Sequence, residues 1–426
     1  MSDTDNTKVV RIGLDDTDHT EYACTTEHFD RLLQVLLENI PSFEIIERRL
    51  VRLWPFAPER TRGNAALGAI CSVNSNSFSL FESIICNFFD ELCNEIISDC
   101  PTSGDSPNPC LVYTTNEFPP EWYWSSVRQM VAPSSRISDV SKFPDTTIRF
   151  SDGQSGIVGA SAAISWQSND SSTWELISWR NVHLIGSERG ISASVIQSLS
   201  DKFPTTFANR DPTTGRTLIS PRTNCPVLYG IRGDDAEELV KSHEWLQSHD
   251  SVESSDRFAL HRTNQVSDDH VVGYYESVVL NTPLEIQGGH ASVPIIKDNQ
   301  HSSIVAFAES GDVNKLLRSL KPGDVIHWVG LLSPDGDYHL ERMKLVNATP
   351  RLSTRPLCCG KSMRSAGNEQ PLRCLVCGDS IEKAWLIQQN TDYIPSHDGW
   401  VEPSSSNRRH LAKPLHRGIP TPAKSQ

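Results

Sequence analysis

The 426-residue chain has no apolar run approaching the roughly 20 residues that a membrane-spanning helix needs. Its polar opening, Met1-Ser2-Asp3-Thr4-Asp5, lacks the h-region of a secretory signal peptide, and the expected location is the cytoplasm. Neither G-x-x-x-x-G-K-[ST] nor G-x-G-x-x-G occurs, so a nucleotide would need a scaffold other than a P-loop or a dinucleotide-binding turn. Positive charge is scarce: 39 Lys and Arg against 53 Asp and Glu leave a net −14. That counts against a nucleic-acid binder over its whole surface, because phosphate neutralisation needs clustered cations. The scarcity is uneven, however. From Arg351 to Gln426 there are eleven Lys or Arg against six Asp or Glu, a net +5, which leaves −19 for the remainder. A basic end on an acidic body suits RNA held at one end, and it also suits an ordinary basic tail. The 11 cysteines are odd in number and scattered, apart from Cys358, Cys359, Cys374 and Cys377. Reduced thiols with one metal site fit this better than a disulfide framework.

What is present begins with carboxylates. Asp15, Asp16 and Asp18 fall within four positions, directly after the strand-forming Val9, Val10, Ile12 and Leu14. Open α/β sheets gather ligand groups at the carboxyl ends of strands, and Mg²⁺ prefers carboxylate oxygens with phosphates as its further ligands. A solvated acidic turn would look similar. Cys24-Thr25-Thr26 follows, ahead of the apolar face Phe29, Leu32, Leu33, Leu36 and Leu37. Thr25 would therefore stand at a helix N-terminus, where it can cap the helix and where the field favours phosphate.

The expected architecture is multidomain α/β and α+β. Residues 1–200 alternate strand and helix patterns, with an amphipathic helix around Phe81–Ile96 and a linker-like stretch over 101–109. Residues 201–283 suit a small α+β domain. Over 284–350 short β-rich segments separated by Gly, Pro and Asp suit a barrel, either an OB-fold or an SH3-like one. Residues 351–400 hold the cysteines, and 401–426, without apolar periodicity, are expected to be a flexible basic tail.

Cys358-Cys359, fourteen residues, then Cys374-Leu375-Val376-Cys377 is the spacing of a zinc ribbon with an intact second knuckle. Cys359, Cys374 and Cys377 are the expected ligands. Adjacent cysteines do not easily present both sulfurs to one tetrahedral centre without distorting the turn, so Cys358 leaves the fourth ligand open.

Gly13-Leu14-Asp15-Asp16-Thr17-Asp18 and Cys24-Thr25-Thr26 resemble the opening of the archaeal isoleucine-tRNA 2-agmatinylcytidine synthetase (TiaS) family. The similarity continues in order through Arg52-Leu53-Trp54-Pro55, Arg60-Thr61-Arg62-Gly63-Asn64, Gly156–Ala160, Thr173–Leu176, Thr206–Asp211, Pro226–Gly233, Arg262–Gln265, Gln287–His290 and Leu320–Asp324, with Trp54, Arg60 and Trp179 as departures. The resemblance implies a kinase-like ATP-binding domain over 1–200, a ferredoxin-like domain over 201–283, an OB-fold and a zinc ribbon. It implies an ATP-dependent ligase that joins agmatine to carbon 2 of the wobble cytidine of an isoleucine tRNA with a CAU anticodon, through a phosphorylated cytidine. Within it, Asp15, Asp16 and Asp18 would hold Mg²⁺ and Arg60, Arg62 and Asn64 would orient the phosphates. Thr25 aligns with a threonine that family members autophosphorylate, Asn209 and Asp211 would meet agmatine, and the cysteines would bind Zn²⁺. Two rivals remain at this stage: a non-catalytic RNA-binding protein built on the barrel and ribbon, and a kinase acting on a small molecule.

Overall fold

The computed structural model describes residues 6–19, 23–58, 64–99, 107–151, 153–349, 352–365, 367, 370–382, 386–388 and 399–423. They form two compact units: residues 1–272 with 404–413, and residues 273–403 with 414–426.

In the first unit the chain runs β1 (Thr7–Asp15), α1 (Thr25–Asn39), β2 (Glu44–Arg52), β3 (Ala65–Asn74), α2 (Phe78–Asp99), β4 (Cys110–Thr114), α3 (Glu121–Arg128), α4 (Pro133–Val140), β5 (Thr146–Phe150) and α5 (Ile157–Ser165). It continues through β6 (Thr173–Arg180), α6 (Ala193–Lys202), β7 (Thr206–Phe207), β8 (Val227–Gly233), α7 (Ala236–Gln247) and β9 (Ser255–Thr263). All nine strands join one sheet in the order β5-β4-β1-β3-β2-β9-β6-β8-β7. Only the β2–β9 pair, Arg49 opposite Arg262 and Leu50 opposite Thr263, is parallel. The carboxyl-edge logic of parallel sheets therefore does not apply: Asp15 ends β1 beside Cys110, which begins the antiparallel β4. Strand and helix periodicities show that elements alternate, but strand direction is set by pairing, which no local pattern encodes. The boundary expected at 200 falls inside α6, and no linker occurs there.

Helical spacing decides the packing. Phe29, Leu32, Leu33 and Leu36 form one fully buried stripe of α1 against the sheet, joined by Phe81, Ile85, Phe89 and Leu92 of α2. On strands β1 and β3 the small-residue helix α5, Ile-Val-Gly-Ala-Ser-Ala-Ala-Ile-Ser, lies unusually close. A Cβ on Gly13 would collide with the Ala160 carbonyl, and one on Gly68 would stand 3.1 Å from the Ala163 carbonyl. Gly13 and Gly68 are cross-strand partners, so a pair of glycines opens the place where this helix settles.

The last piece of the first unit corrects the sequence reading. Residues 404–413, expected to be part of a mobile tail, are fastened: Ser406 N donates to Asp211 at 3.2 Å, Val266 N to the His410 carbonyl at 2.9 Å, and Lys413 N to Asp268 at 2.7 Å. Leu411 is buried with Tyr123 and Trp166. Anchoring by backbone amides leaves no hydrophobic periodicity, which is why the sequence did not show it.

The second unit contains β10 (Tyr275–Val279), β11 (Leu284–Ile286), β12 (His290–Lys297), β13 (Gln300–Ala306), α8 (Asp312–Ser319), β14 (Val325–Leu332) and β15 (Tyr338–Asn347). The order β10-β14-β15-β13-β12 closes through a β10–β12 pairing into a five-stranded barrel, with β13 and β15 parallel and α8 between the third and fourth barrel strands. Its core joins Val293, Ile295, Ile304, Trp328 and Met343 to Val313, Leu316 and Leu317 of the helix. Trp400–Val401 adds to β15 and is buried, so the expected tail begins with a residue, Val401, that packs in this unit. Among the described residues, no helix is long and apolar enough to cross a membrane.

Candidate active site

The acidic run acquires its geometry from one backbone feature. Asp16 takes φ 59°, turning the chain at the end of β1 and sending successive carboxylates apart. Asp15 is directed at the start of α5, where a Cβ on Gly159 would overlap its carboxylate. Burial, followed by the neighbouring Asp16 and Asp18 charges, pushes the Asp15 carboxyl well above the usual range. Asp16 accepts a hydrogen bond from Ser155 Oγ at 2.6 Å. Asp18 accepts two from Thr25, one from its backbone N–H and one from its hydroxyl at 2.9 Å. Thr25 is the first residue of α1, as expected, and Asp18 satisfies one of the amides that a helix start leaves open. Thr26 is tied across the sheet by Trp179 Nε1 at 3.2 Å.

Two cavities meet at this point. The first, about 230 Å³, is lined by Asp15, Asp16, Asp18 and Thr25 together with the apolar Leu53, Trp54, Met130 and Val131. The second, about 470 Å³, shares Asp18, Thr25 and Ala65 and continues to Arg52, Glu175, Arg222, Arg232 and His410, with Ile177, Leu218, Ile219 and Val227 as an apolar wall. Glu175 is fully buried on β6 and receives Arg52 Nη2 at 3.3 Å, Arg232 Nε at 3.1 Å and Gln265 Nε2. His410 Nδ1 lies 3.3 Å from Gln265 Oε1. Burial, with Arg52 and Arg232 nearby, keeps the His410 imidazole neutral far below its ordinary pKa.

Not every expected residue falls here. Asn64 lines the first cavity, but its side chain donates to the Trp54 carbonyl at 2.7 Å, and its own carbonyl accepts from Leu53 N, so it closes the base of the loop between β2 and β3. Arg60 and Arg62 lie outside the described residues. Asn209 and Asp211 line neither of these two cavities, and each is held by hydrogen bonds. Asn209 Nδ2 donates to Thr206 Oγ1 at 2.7 Å. Asp211 is buried, which opposes its charge, but hydrogen bonds from Ser406 and Thr213 outweigh this and hold its carboxyl below the usual range. Glu175, Arg52 and Arg232 were missed as site residues although they stand in strand segments where buried charge is unusual, and Gln265, just after β9, was missed with them. His410 carried no such signal.

The ribbon brings its four cysteines together. Among the described residues, Cys358, Cys359, Cys374 and Cys377 are the one group of three or more metal-ligating side chains whose donor atoms lie within 4.8 Å of one another; the three aspartates do not converge in this way. Cys359 takes φ 51°, followed by Gly360 at φ 75°. This is the turn distortion that adjacent cysteines require, and it brings Cys358 into the set as the fourth sulfur. Four thiol sulfurs at this separation suit tetrahedral Zn²⁺.

Fold and site together define a multidomain enzyme-like protein of mixed α/β architecture, with a five-stranded barrel and a cysteine ribbon. Sequence profiles of the TiaS TCKD domain, the TiaS FLD domain and the TiaS C-terminal zinc ribbon domain match residues 11–144, 154–270 and 355–389. The chain belongs to the TiaS family. It is 29% identical to the isoleucine-tRNA 2-agmatinylcytidine synthetase TiaS of Archaeoglobus fulgidus over 430 residues, covering 96% of this chain and 97% of that one. Its structure is similar to the crystal structure of a TiaS complex with its isoleucine tRNA and ATP, at TM-score 0.80 and 26% identity over 98% and 99% of the two chains. It is likewise similar to apo TiaS, an isoleucine-tRNA agmatidine synthetase, at TM-score 0.79 and 26% identity over 96% and 97%.

Proposed function

We infer that this chain is an ATP-dependent tRNA-modifying synthetase that joins agmatine to carbon 2 of the wobble cytidine of an isoleucine tRNA. The observation that carries this reading is the Asp18–Thr25 hydrogen bond at the edge shared by two cavities. One cavity then takes ATP and the other the flipped base. In the first, Trp54, Met130 and Val131 suit an adenine, and the carboxylates suit a metal-bound triphosphate. Mg²⁺ is commonly held by one or two carboxylates plus phosphates, so the divergence of the three aspartates is compatible with it: Asp15 and Asp16 would hold the ion, which supplies charge neutralisation at the transferring phosphoryl group. The high pKa direction of Asp15 fits a carboxylate that is completed by a cation. Arg60 and Arg62 remain the proposed phosphate-orienting residues.

Asp18 accepts the hydroxyl proton of Thr25, the position of a general base for phosphorylation of that hydroxyl, and the N-terminus of α1 favours the phosphate formed there. The cytidine enters from the second cavity. Its carbon-2 oxygen forms a bond to the phosphorus as the bond to the ATP leaving group breaks. The agmatine amine then adds at carbon 2, and phosphate departs with the oxygen. A base in an anticodon loop must be extruded for this. The five-stranded barrel, read as an OB-fold, and the zinc-holding ribbon are the proposed supports of the RNA, with the first unit divided into kinase-like and ferredoxin-like parts. A purely RNA-binding protein has no need for an aspartate aimed at a threonine hydroxyl between two cavities.

The test is incubation of the full chain with ATP, Mg²⁺, labelled agmatine and isoleucine tRNA bearing the CAU anticodon. ATP-dependent label in the tRNA is expected; none, in preparations that bind both ATP and tRNA, would reject the assignment.

A further inference from the structure

The second cavity carries more positive charge than its neighbours neutralise. Among the described residues, Arg52, Arg222 and Arg232 line it against Asp18 and Glu175, and His410 adds a neutral ring. Glu175 takes a single nitrogen from each of Arg52 and Arg232, leaving the Nη groups of Arg232 without a hydrogen bond among the described residues. Arg52 is buried, and its Nε has no hydrogen-bond partner among the described residues. Arg222, exposed at the rim, makes neither an ion pair nor a hydrogen bond among the described residues. Buried guanidinium groups are normally matched by acceptors, and a forked donor left over beside a cavity suits an oxyanion. Thr25 and Asp18 line this same cavity.

We propose that Arg232 and Arg222, with Arg52 and Glu175 behind them, form a phosphate subsite in the second cavity, distinct from the ATP cavity. It rests on the reading that phosphoryl transfer takes place at the Asp18–Thr25 edge, and it extends that reading to the product side. The subsite holds the phosphate monoester once the phosphoryl group is on the base, and then the inorganic phosphate left when the amine has displaced it. Glu175 acts as a positioning residue: it fixes the Arg232 Nε and turns the remaining fork outward. Holding the dianion there would stabilise phosphate as a leaving group while keeping it apart from bound nucleotide.

The test uses full-length protein saturated with a non-hydrolysable ATP analogue and titrated with inorganic phosphate, without tRNA or agmatine. One phosphate per chain is expected. Arg222→Ala, which removes no hydrogen bond or ion pair among the described residues, should weaken it several-fold, and Arg232→Gln by about tenfold, the scale of one lost charge-assisted hydrogen bond. Absence of phosphate binding beside the analogue, or unchanged binding by both variants, would overturn the subsite. So would variants that keep phosphate but lose tRNA affinity with a salt slope smaller by about 1, because the arginines would then be reading the RNA backbone. Wild-type protein that incorporates agmatine but binds no phosphate refutes this proposal alone; failure of incorporation refutes the functional reading beneath it.

Discussion

Asp18 Oδ1 lies 2.9 Å from Thr25 Oγ1, and the same carboxylate also accepts the Thr25 backbone N–H. One side chain thus fixes the first residue of α1 and holds its hydroxyl proton. Asp18→Asn keeps an oxygen for the amide but cannot accept a proton as a base. Its fold should survive while ATP-dependent self-labelling falls by about 10²–10⁴-fold, the usual contribution of a general base. Thr25→Ala should abolish label on the protein. Labelling of either variant at the wild-type rate, followed with γ-labelled ATP, would remove this pair from the chemistry.

Zinc content tests the ribbon. Purified protein should carry about one Zn²⁺ per chain. Because Cys359 at φ 51° presents Cys358 as the fourth sulfur, Cys358→Ser should yield its metal to a chelator well before the wild type. Equal retention, measured by a colorimetric zinc indicator, would place the fourth ligand elsewhere.

Gly13 beneath α5 and Gly159 within it should behave differently. Gly13→Ala meets the Ala160 backbone and should cost about 1–3 kcal/mol in chemical denaturation, as overpacking does. Gly159→Ala meets the Asp15 carboxylate and should chiefly weaken the use of ATP. If Gly159→Ala keeps a wild-type KM for ATP, Asp15 is not part of the nucleotide site.

Acid should destabilise the first unit through its buried histidines. Burial lowers His243 to about 4 and His261 to about 3, and pushes His28 down as well. Unfolded, each titrates near 6.5, so between pH 6.5 and about 4 the unfolded chain binds more protons and stability falls as pH falls. Above 6.5 these groups contribute no slope. Urea midpoints measured between pH 7.5 and 4.5 should decline through that window, and His243→Gln should flatten the decline; an unchanged slope in that variant would show that other groups govern it.

Much of this was legible in the sequence, and the gaps have physical causes. The apolar stripe of α1, the helix around Phe81–Ile96 and the β-rich spacing after 284 are local periodicities, and they became elements where expected. Asp18 and Thr25 were legible because they are close in sequence. The Glu175 cluster was not, since Arg52, Arg232 and Gln265 reach one carboxylate only once β2, β9, β6 and β8 are neighbours in the sheet. Asn209 and Asp211 remain the proposed agmatine contacts, and turn chemistry and ligand chemistry use the same residue types. Asp211 also anchors Ser406, in a segment whose composition resembled a free tail.

The central claim is that a phosphoryl group crosses the edge between the two cavities onto the base before the amine arrives. The most direct measurement supplies γ-labelled ATP and the isoleucine tRNA without agmatine, follows label in the isolated RNA, and then adds agmatine. Label should accumulate on the wobble cytidine and be released as inorganic phosphate when agmatine is added. RNA that never acquires label, in preparations that still incorporate agmatine, would contradict the claim.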